Sequence, residues 1–226
     1  MKAAGLVLLA GDPGRRGVRR DPLLEEALAR FGRARPGVAY VGAASQDNRL
    51  FFLWISSLLK KAGAGAVRLA PLAGRRGDPQ QALAILEDAD VVFVSGGDVG
   101  LGMGILGATG LDGPLRRLGS SGKPFIGLSA GSIMLARSWV AWADESNDAS
   151  AAPFPCLGLA PLLCDTHGEG EGWQELRMLL RLTGEPSGFG IPAGAALAVG
   201  RDGSLAALGK PVRRLTATGS LDNLEP

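Results

Sequence analysis

A serine set between two glycines, Gly127-Leu128-Ser129-Ala130-Gly131, is the stretch of this sequence best suited to covalent chemistry. An apolar run, Pro124 to Leu128, leads into it, and a helix-like run, Ser132 to Arg137, leaves it. G-x-S-x-G in that setting predicts a nucleophile elbow, in which a strand stops, a helix starts at once, and the serine occupies the strained turn between them. The flanking glycines leave room for the tight turn. The Ser129 hydroxyl then projects outward, and the N–H of Ala130 points into the same space. A serine hydroxyl is inert at its own pKa and needs a base. The sequence holds one histidine, His167, in the glycine-rich segment Asp165-Thr166-His167-Gly168-Glu169-Gly170. A chain with 35 glycines can also produce such a pentapeptide as a plain turn, and a lone histidine is often just a surface residue. The strand-turn-helix setting and the pairing favour acyl transfer, with Ser129 as nucleophile and His167 as general base.

An oxyanion hole needs two backbone donors. Ala130 N–H is one. Ser95-Gly96-Gly97-Asp98 is the natural source of the other, because it ends an apolar run and its glycines allow close approach to a substrate. Asp98 reads equally as the cap of the next helix. A third group should orient the imidazole, and Asp144, Asp165 and Glu169 are all candidates that spacing cannot separate. Gly102-Met103-Gly104-Ile105-Leu106-Gly107 matches G-x-G-x-x-G. However, six residues part it from Ser95 and no acid closes a following strand about 20 residues on, so it does not fit a dinucleotide site. No phosphate-binding loop and no metal-ligand constellation is present, so no cofactor and no metal are expected.

These residues must be positioned by the elements around them. Apolar strand-like runs at Leu6–Ala10, Val38–Val41, Ala66–Ala70, Asp90–Ser95 and Pro124–Leu128 alternate with helix-like runs at 21–32, 48–62, 79–88 and 101–118, the last broken near Gly110–Pro114. This rhythm predicts an α/β fold: a three-layer αβα sandwich with a mainly parallel central sheet. Ligands of such sheets bind beyond the C-terminal strand ends, where Ser129, Ser45 and Gly96-Gly97 fall. Ser45, Gly96 and Asp98 are accordingly expected to contact substrate. Further on, Pro161–Cys164 reads as a strand and Trp173–Leu182 as a helix. Ala195–Gly200 and Leu205–Leu208, joined through Asp202-Gly203, read as a C-terminal β-hairpin. Val212–Leu215 reads as a last strand, and the polar tail Thr216–Pro226 as frayed.

The 226 residues suit one domain spanning 1–226, and the hydrophobic content of 46% is enough for a core built mainly on Ala, Val, Leu and Ile. A formal net charge of +2 gives no argument for nucleic acid or membrane binding. The arginine clusters Arg15-Arg16, Arg19-Arg20 and Arg75-Arg76 sit beside Gly, Asp or Pro and read as solvated loops. Cys156 and Cys164 lie in apolar surroundings without ligand spacing, which predicts buried thiols in a reducing compartment. The apolar N-terminus is short, lacks a cleavage site and reads as a first buried strand. The expectation is therefore a cytoplasmic protein, monomer or homodimer, acting on a small peptide.

Gly-Gly-Asp at a strand end, then G-L-S-A-G, then D-T-H resembles the S51 serine peptidases, the group of aspartyl dipeptidase (peptidase E) and cyanophycinase. Val41-Gly42-Ala43-Ala44-Ser45, Gly158-Leu159-Ala160-Pro161 and Gly190-Ile191 extend the likeness over most of the chain. The resemblance implies the class I glutamine amidotransferase-like fold and a serine peptidase acting on dipeptides or isopeptides. It implies Ser129 as nucleophile, His167 as base, Gly97 and Ala130 as oxyanion donors, and Asp144 by its offset as third member. Other relatives use a Glu just before the hairpin, where this chain has Pro192-Ala193-Gly194. Relatives also carry arginines soon after the histidine to grip an acidic side chain. Here Glu169 and Glu171 follow His167, and the first arginine is Arg177. Like charges would repel an aspartyl side chain, so a basic or neutral one fits at least as well. The alternative is a catalytically impaired homologue that binds a ligand or acts as a scaffold.

Overall fold

The computed structural model describes residues 4–11, 20–144 and 146–226. Asp12-Pro13-Gly14 and the arginines Arg15, Arg16 and Arg19 lie outside the described residues. The strands are β1 (Ala4–Leu9), β2 (Val38–Val41), β3 (Val67–Ala70), β4 (Val91–Val94), β5 (Phe125–Leu128), β6 (Ser138–Trp142), β7 (Ala151–Pro155), β8 (Cys164–Thr166), β9 (Ser187–Ile191), β10 (Ala195–Gly200), β11 (Leu205–Gly209), β12 (Val212–Thr216) and β13 (Leu221–Leu224). The helices are α1 (Pro22–Ala29), α2 (Arg49–Lys61), α3 (Pro79–Asp88), α4 (Val99–Thr109), α5 (Asp112–Ser120), α6 (Ala130–Leu135) and α7 (Gln174–Thr183).

Seven strands form the central sheet in the order β11-β10-β1-β5-β4-β2-β3. The five from β1 to β3 run parallel, and β10 and β11 add an antiparallel edge as the expected hairpin. The strands are buried on both faces because their side chains alternate between two apolar layers. Val38, Tyr40, Val91 and Phe93 pack with Leu24 and Leu28 of α1 and Ile55, Leu58 and Leu59 of α2. Ala39, Val41, Val92 and Val94 pack on the other face with α3, α4, α5 and α6. The Tyr40 ring stacks on Phe93 at 5.7 Å and meets Phe52 of α2 edge-on at 5.1 Å. The helix starts follow from local chemistry. The side chains of Asp21, Asn48, Asp78 and Asp98 accept N–H bonds at the starts of α1, α2, α3 and α4, and Pro22 and Pro79 occupy first turns. Gly110 ends α4 where the break was expected.

Beside this frame stands a smaller sheet, β13-β12-β9-β8, and the two-stranded β6-β7 ribbon. Leu163, Trp173, Leu176, Leu179, Leu180 and Leu215 form its own apolar cluster under α7. Two expectations are corrected here. The strand expected at Pro161–Cys164 lies later, at Cys164–Thr166. The tail is not frayed: Leu221–Leu224 pairs antiparallel with β12. A turn closed by Gly219 N–H to the Thr216 carbonyl at 2.9 Å and by Ser220 N–H to Thr216 Oγ1 at 3.1 Å makes that pairing local. No helix among the described residues is long and apolar enough to cross a membrane.

Candidate active site

Strand β5 ends at Leu128 and helix α6 begins at Ala130, so Ser129 alone makes the turn. Its backbone is at φ 53°, ψ −122°, a conformation that non-glycine residues rarely adopt and that is held only where surroundings enforce it. The enforcement is visible. Ser129 N–H donates to the Leu9 carbonyl at 2.8 Å, and Ser132 N–H donates back to the Ser129 carbonyl at 2.8 Å. Ser132 Oγ is itself buried and donates to the same Leu9 carbonyl at 2.9 Å. A Cβ on Gly127 would come within 2.6 Å of Ser132 Cα, and one on Gly131 would overlap the Val94 carbonyl. Strand, turn and helix are packed backbone to backbone, which only glycine permits.

The Ser95–Asp98 segment lies directly against this turn. A Cβ on Gly96 would sit 3.2 Å from Ser129 Cβ. Gly97 has φ +145° and nests on Ala44, whose carbonyl oxygen a Cβ would overlap. Asp98 N–H ties the segment down by donating to the Ala44 carbonyl at 2.9 Å. Asp98 Oδ1 then caps α4 by accepting from Leu101 N–H at 2.6 Å. Among the described residues, the N–H groups of Gly97 and Ala130 have no acceptor within the chain. Ser45 lines the cavity in front of Ser129, and its Oγ donates to the Gly42 carbonyl at 3.1 Å.

His167 ends β8 in the left-handed region, φ 65°, and its N–H donates to the Ile191 carbonyl at 3.4 Å. Ser129, His167 and Gly97 together line two adjoining cavities, of about 460 and about 270 Å³. No hydrogen bond joins Ser129 Oγ to the imidazole among the described residues. Such bonds are commonly loose without substrate. The larger cavity is walled by α2. The smaller holds Ala130, Asp98, Asp165, Glu171 and Glu175.

The profile of Peptidase family S51 matches residues 7–206. The chain belongs to peptidase family S51. It is thereby a serine-type peptidase. A search of the curated proteins finds no match. Among solved structures, a peptidase from an acI-B1 Actinobacterium is similar at a TM-score of 0.71 and 16% identity, covering 97% of this chain and 93% of that one. A protein from Listeria monocytogenes EGD-e, named as a candidate peptidase E, is similar at a TM-score of 0.62 and 18% identity, covering 90% of this chain and 97% of that one. At these identities the likeness is one of fold.

Within this S51 peptidase the three acids considered for the histidine go to different places. Asp144 is not brought to His167. It lies between β6 and β7, fully exposed, and its Oδ1 accepts from Ser146 N–H at 3.0 Å and Ser146 Oγ at 2.7 Å. Those bonds hold its carboxyl below the usual range. Glu169 is turned away to the hairpin side, where its Oε1 accepts from Ala193 N–H at 3.0 Å. That is the position where the family likeness leads one to look for a glutamate. Asp165 shares the smaller cavity with His167, but its Oδ1 accepts from Thr166 N–H at 2.7 Å. Burial, and then the neighbouring carboxylate of Glu175, push Asp165 up to about 7. Among the described residues no carboxylate hydrogen-bonds the imidazole.

Sequence reasoning missed Glu175 and Trp139, which meet at 3.3 Å through Trp139 Nε1 on the rim of the smaller cavity. The only trace in the sequence was the exposed polar side of an amphipathic helix. The two thiols are free and buried, and burial pushes Cys156 up to about 12 and Cys164 higher still. Neither offers a thiolate. Among the described residues no group of three or more His, Cys, Asp or Glu side chains is placed to hold a metal ion.

Proposed function

We propose that the protein hydrolyses small peptides, of the dipeptide or isopeptide type, through a Ser129–His167 dyad. Ser129 Oγ attacks the scissile carbonyl carbon while His167 accepts the hydroxyl proton. The carbonyl oxygen takes up the electron pair and lies between the N–H groups of Gly97 and Ala130. The tetrahedral species collapses as the C–N bond breaks and His167 protonates the departing amine. Water then adds to the acyl-serine with His167 as base, releasing the acid and restoring Ser129.

The reading rests on one observation above all. The serine in the strained elbow turn, two unengaged backbone N–H groups and the sole histidine border the same smaller cavity. With no acid bonded to the imidazole, a slow enzyme is expected, since an orienting acid can be worth on the order of 10⁴ in rate. The free, buried thiols fit a reducing, cytoplasmic setting. The test is labelling with a fluorophosphonate together with turnover of a dipeptide panel. Wild type should label at Ser129 and hydrolyse at least one member. Ser129→Ala should lose the label and drop turnover by roughly a thousandfold or more. Equal turnover by the two proteins would end the proposal.

A further inference from the structure

The larger cavity beside Ser129 is lined mainly by apolar side chains. Its wall is a stripe of α2, Phe51, Trp54, Ile55 and Leu58, at the i, i+3, i+4, i+7 spacing that places side chains on one helix face. Leu24 and Leu128 complete the apolar lining. The Phe51 and Trp54 rings stand 5.7 Å apart, and Trp54 is 44% exposed. Ile55 and Leu58 are buried and anchor the stripe to the central sheet. No lysine or arginine is among the described residues lining this cavity. Among the described lining residues the one carboxylate is Asp21, which already caps α1 through Leu23 N–H at 3.0 Å. An acidic side chain laid on the α2 stripe would lose its hydration against rings and branched carbons. An apolar one would exchange water for rings and branched carbons. The floor of the same cavity is Gly96, Gly97 and Ser129, so a group seated in it is held next to the carbonyl that Ser129 attacks.

We infer that the α2 cavity is a specificity subsite for an aromatic or branched aliphatic side chain on one of the two residues flanking the scissile bond. Trp54 and Phe51 are its specificity-determining residues. This rests on the peptidase reading above for its consequence in turnover, but not for its consequence in binding.

The experiment therefore has two arms. In the first, Ser129→Ala protein is titrated with Phe-Ala, Ala-Phe, Asp-Ala, Ala-Asp and Ala-Ala, with affinity read by calorimetry and by tryptophan fluorescence. One of the two Phe dipeptides should bind at least roughly tenfold tighter than Ala-Ala, and neither Asp dipeptide should. The fluorescence change should vanish in Trp54→Phe while most of the preference remains. In the second arm, wild type, Trp54→Ala and Trp54→Arg are compared in kcat/KM. Trp54→Ala should narrow the Phe-to-Ala ratio several-fold, and Trp54→Arg should shift preference toward the Asp dipeptide. Tighter binding of the Phe dipeptide with no turnover by wild type would keep the subsite and remove the peptidase reading. Ser129-dependent turnover with Asp dipeptides bound as well as Phe ones, or a Phe-to-Ala ratio unmoved by Trp54→Ala, would overturn the subsite and leave the peptidase reading standing.

Discussion

The two walls that meet at Ser129 are chemically opposite. On one side α2 presents rings and branched carbons. On the other, β8, the turn at 168–171 and α7 bring Asp165, Glu171 and Glu175 into one cavity with Ser129. They also belong to different parts of the fold. The apolar wall is the outer edge of a helix rooted in the central sheet. The acidic wall rests on the small second sheet, with its own cluster around Trp173 and Leu176. The seam between them, Gly96-Gly97 against the elbow, is held by backbone contacts that tolerate no side chain. The lesson is a division of labour. In the proposed mechanism the close-packed backbone of the elbow and its glycines holds Ser129 and the oxyanion donors in place, while the side chains of the two walls meet the substrate.

The largest expected effect comes from breaking the seam. Gly97→Ala puts a methyl group into the Ala44 carbonyl and forces a rare φ on an L residue. The strain shifts the Gly97 N–H, the proposed oxyanion donor, out of place; an oxyanion donor put out of action costs roughly a hundredfold to a thousandfold in kcat, and the strain lowers thermal stability as well. Because the seam serves both walls, the loss in kcat/KM should be the same for apolar and polar dipeptides. A loss confined to one class would assign Gly97 to one wall and break the comparison.

A smaller effect separates the walls by pH. Asp165 keeps its proton in the folded chain up to about pH 7 because burial, then Glu175, disfavour its charge. In the unfolded chain it loses that proton near its ordinary value of 3.8. Between those two values the folded state binds more protons, so stability falls as pH rises, by up to about 1.4 kcal/mol per pH unit. Asp165→Asn should remove this decline, which denaturant melts at pH 4, 5.5 and 7 would show. Trp54→Ala on the other wall should leave the decline in place. A wild-type stability that rises steadily from pH 4 to 7 and is unchanged in Asp165→Asn would contradict the assignment.

How far these walls could be read in advance follows the same division. The central strands were legible because residues such as Val91–Val94 are apolar on both faces, and burial on both faces leaves that mark. The stops and starts were legible too, since Asp21, Asn48 and Asp98 cap as their types require. Ser129 and His167 stood out by residue type. The second sheet was not legible in the same way. Ser138–Trp142 and Ala151–Pro155 pair as a ribbon although two prolines interrupt the pattern of β7, which edge pairing tolerates. The strand Leu221–Leu224 carries only two apolar residues, so its pairing with β12 depends on a local turn rather than on a core. Above all, which acid reaches the imidazole is a matter of distance through space. Glu169, two positions from His167, ends on Ala193 instead.

Asp144 makes that point as the smallest expected effect. Its offset from Ser129 suggested a triad, yet chain separation says little once a hairpin intervenes. Strands β6 and β7 carry it out to a turn, where Ser146 supplies both partners of its Oδ1. A carboxylate that is fully exposed and already engaged does not orient a ring in another cavity. Asp144→Asn keeps the acceptor oxygen for Ser146 and removes only the charge. Its kcat/KM on the best dipeptide should stay within about twofold of wild type, as expected for an exposed position away from the site. The pH profile of kcat/KM should also be unmoved. A fall approaching the roughly 10⁴ that follows loss of a true orienting acid would place Asp144 beside His167 in the working enzyme. It would require the β6–β7 ribbon to fold over the acidic wall when substrate binds.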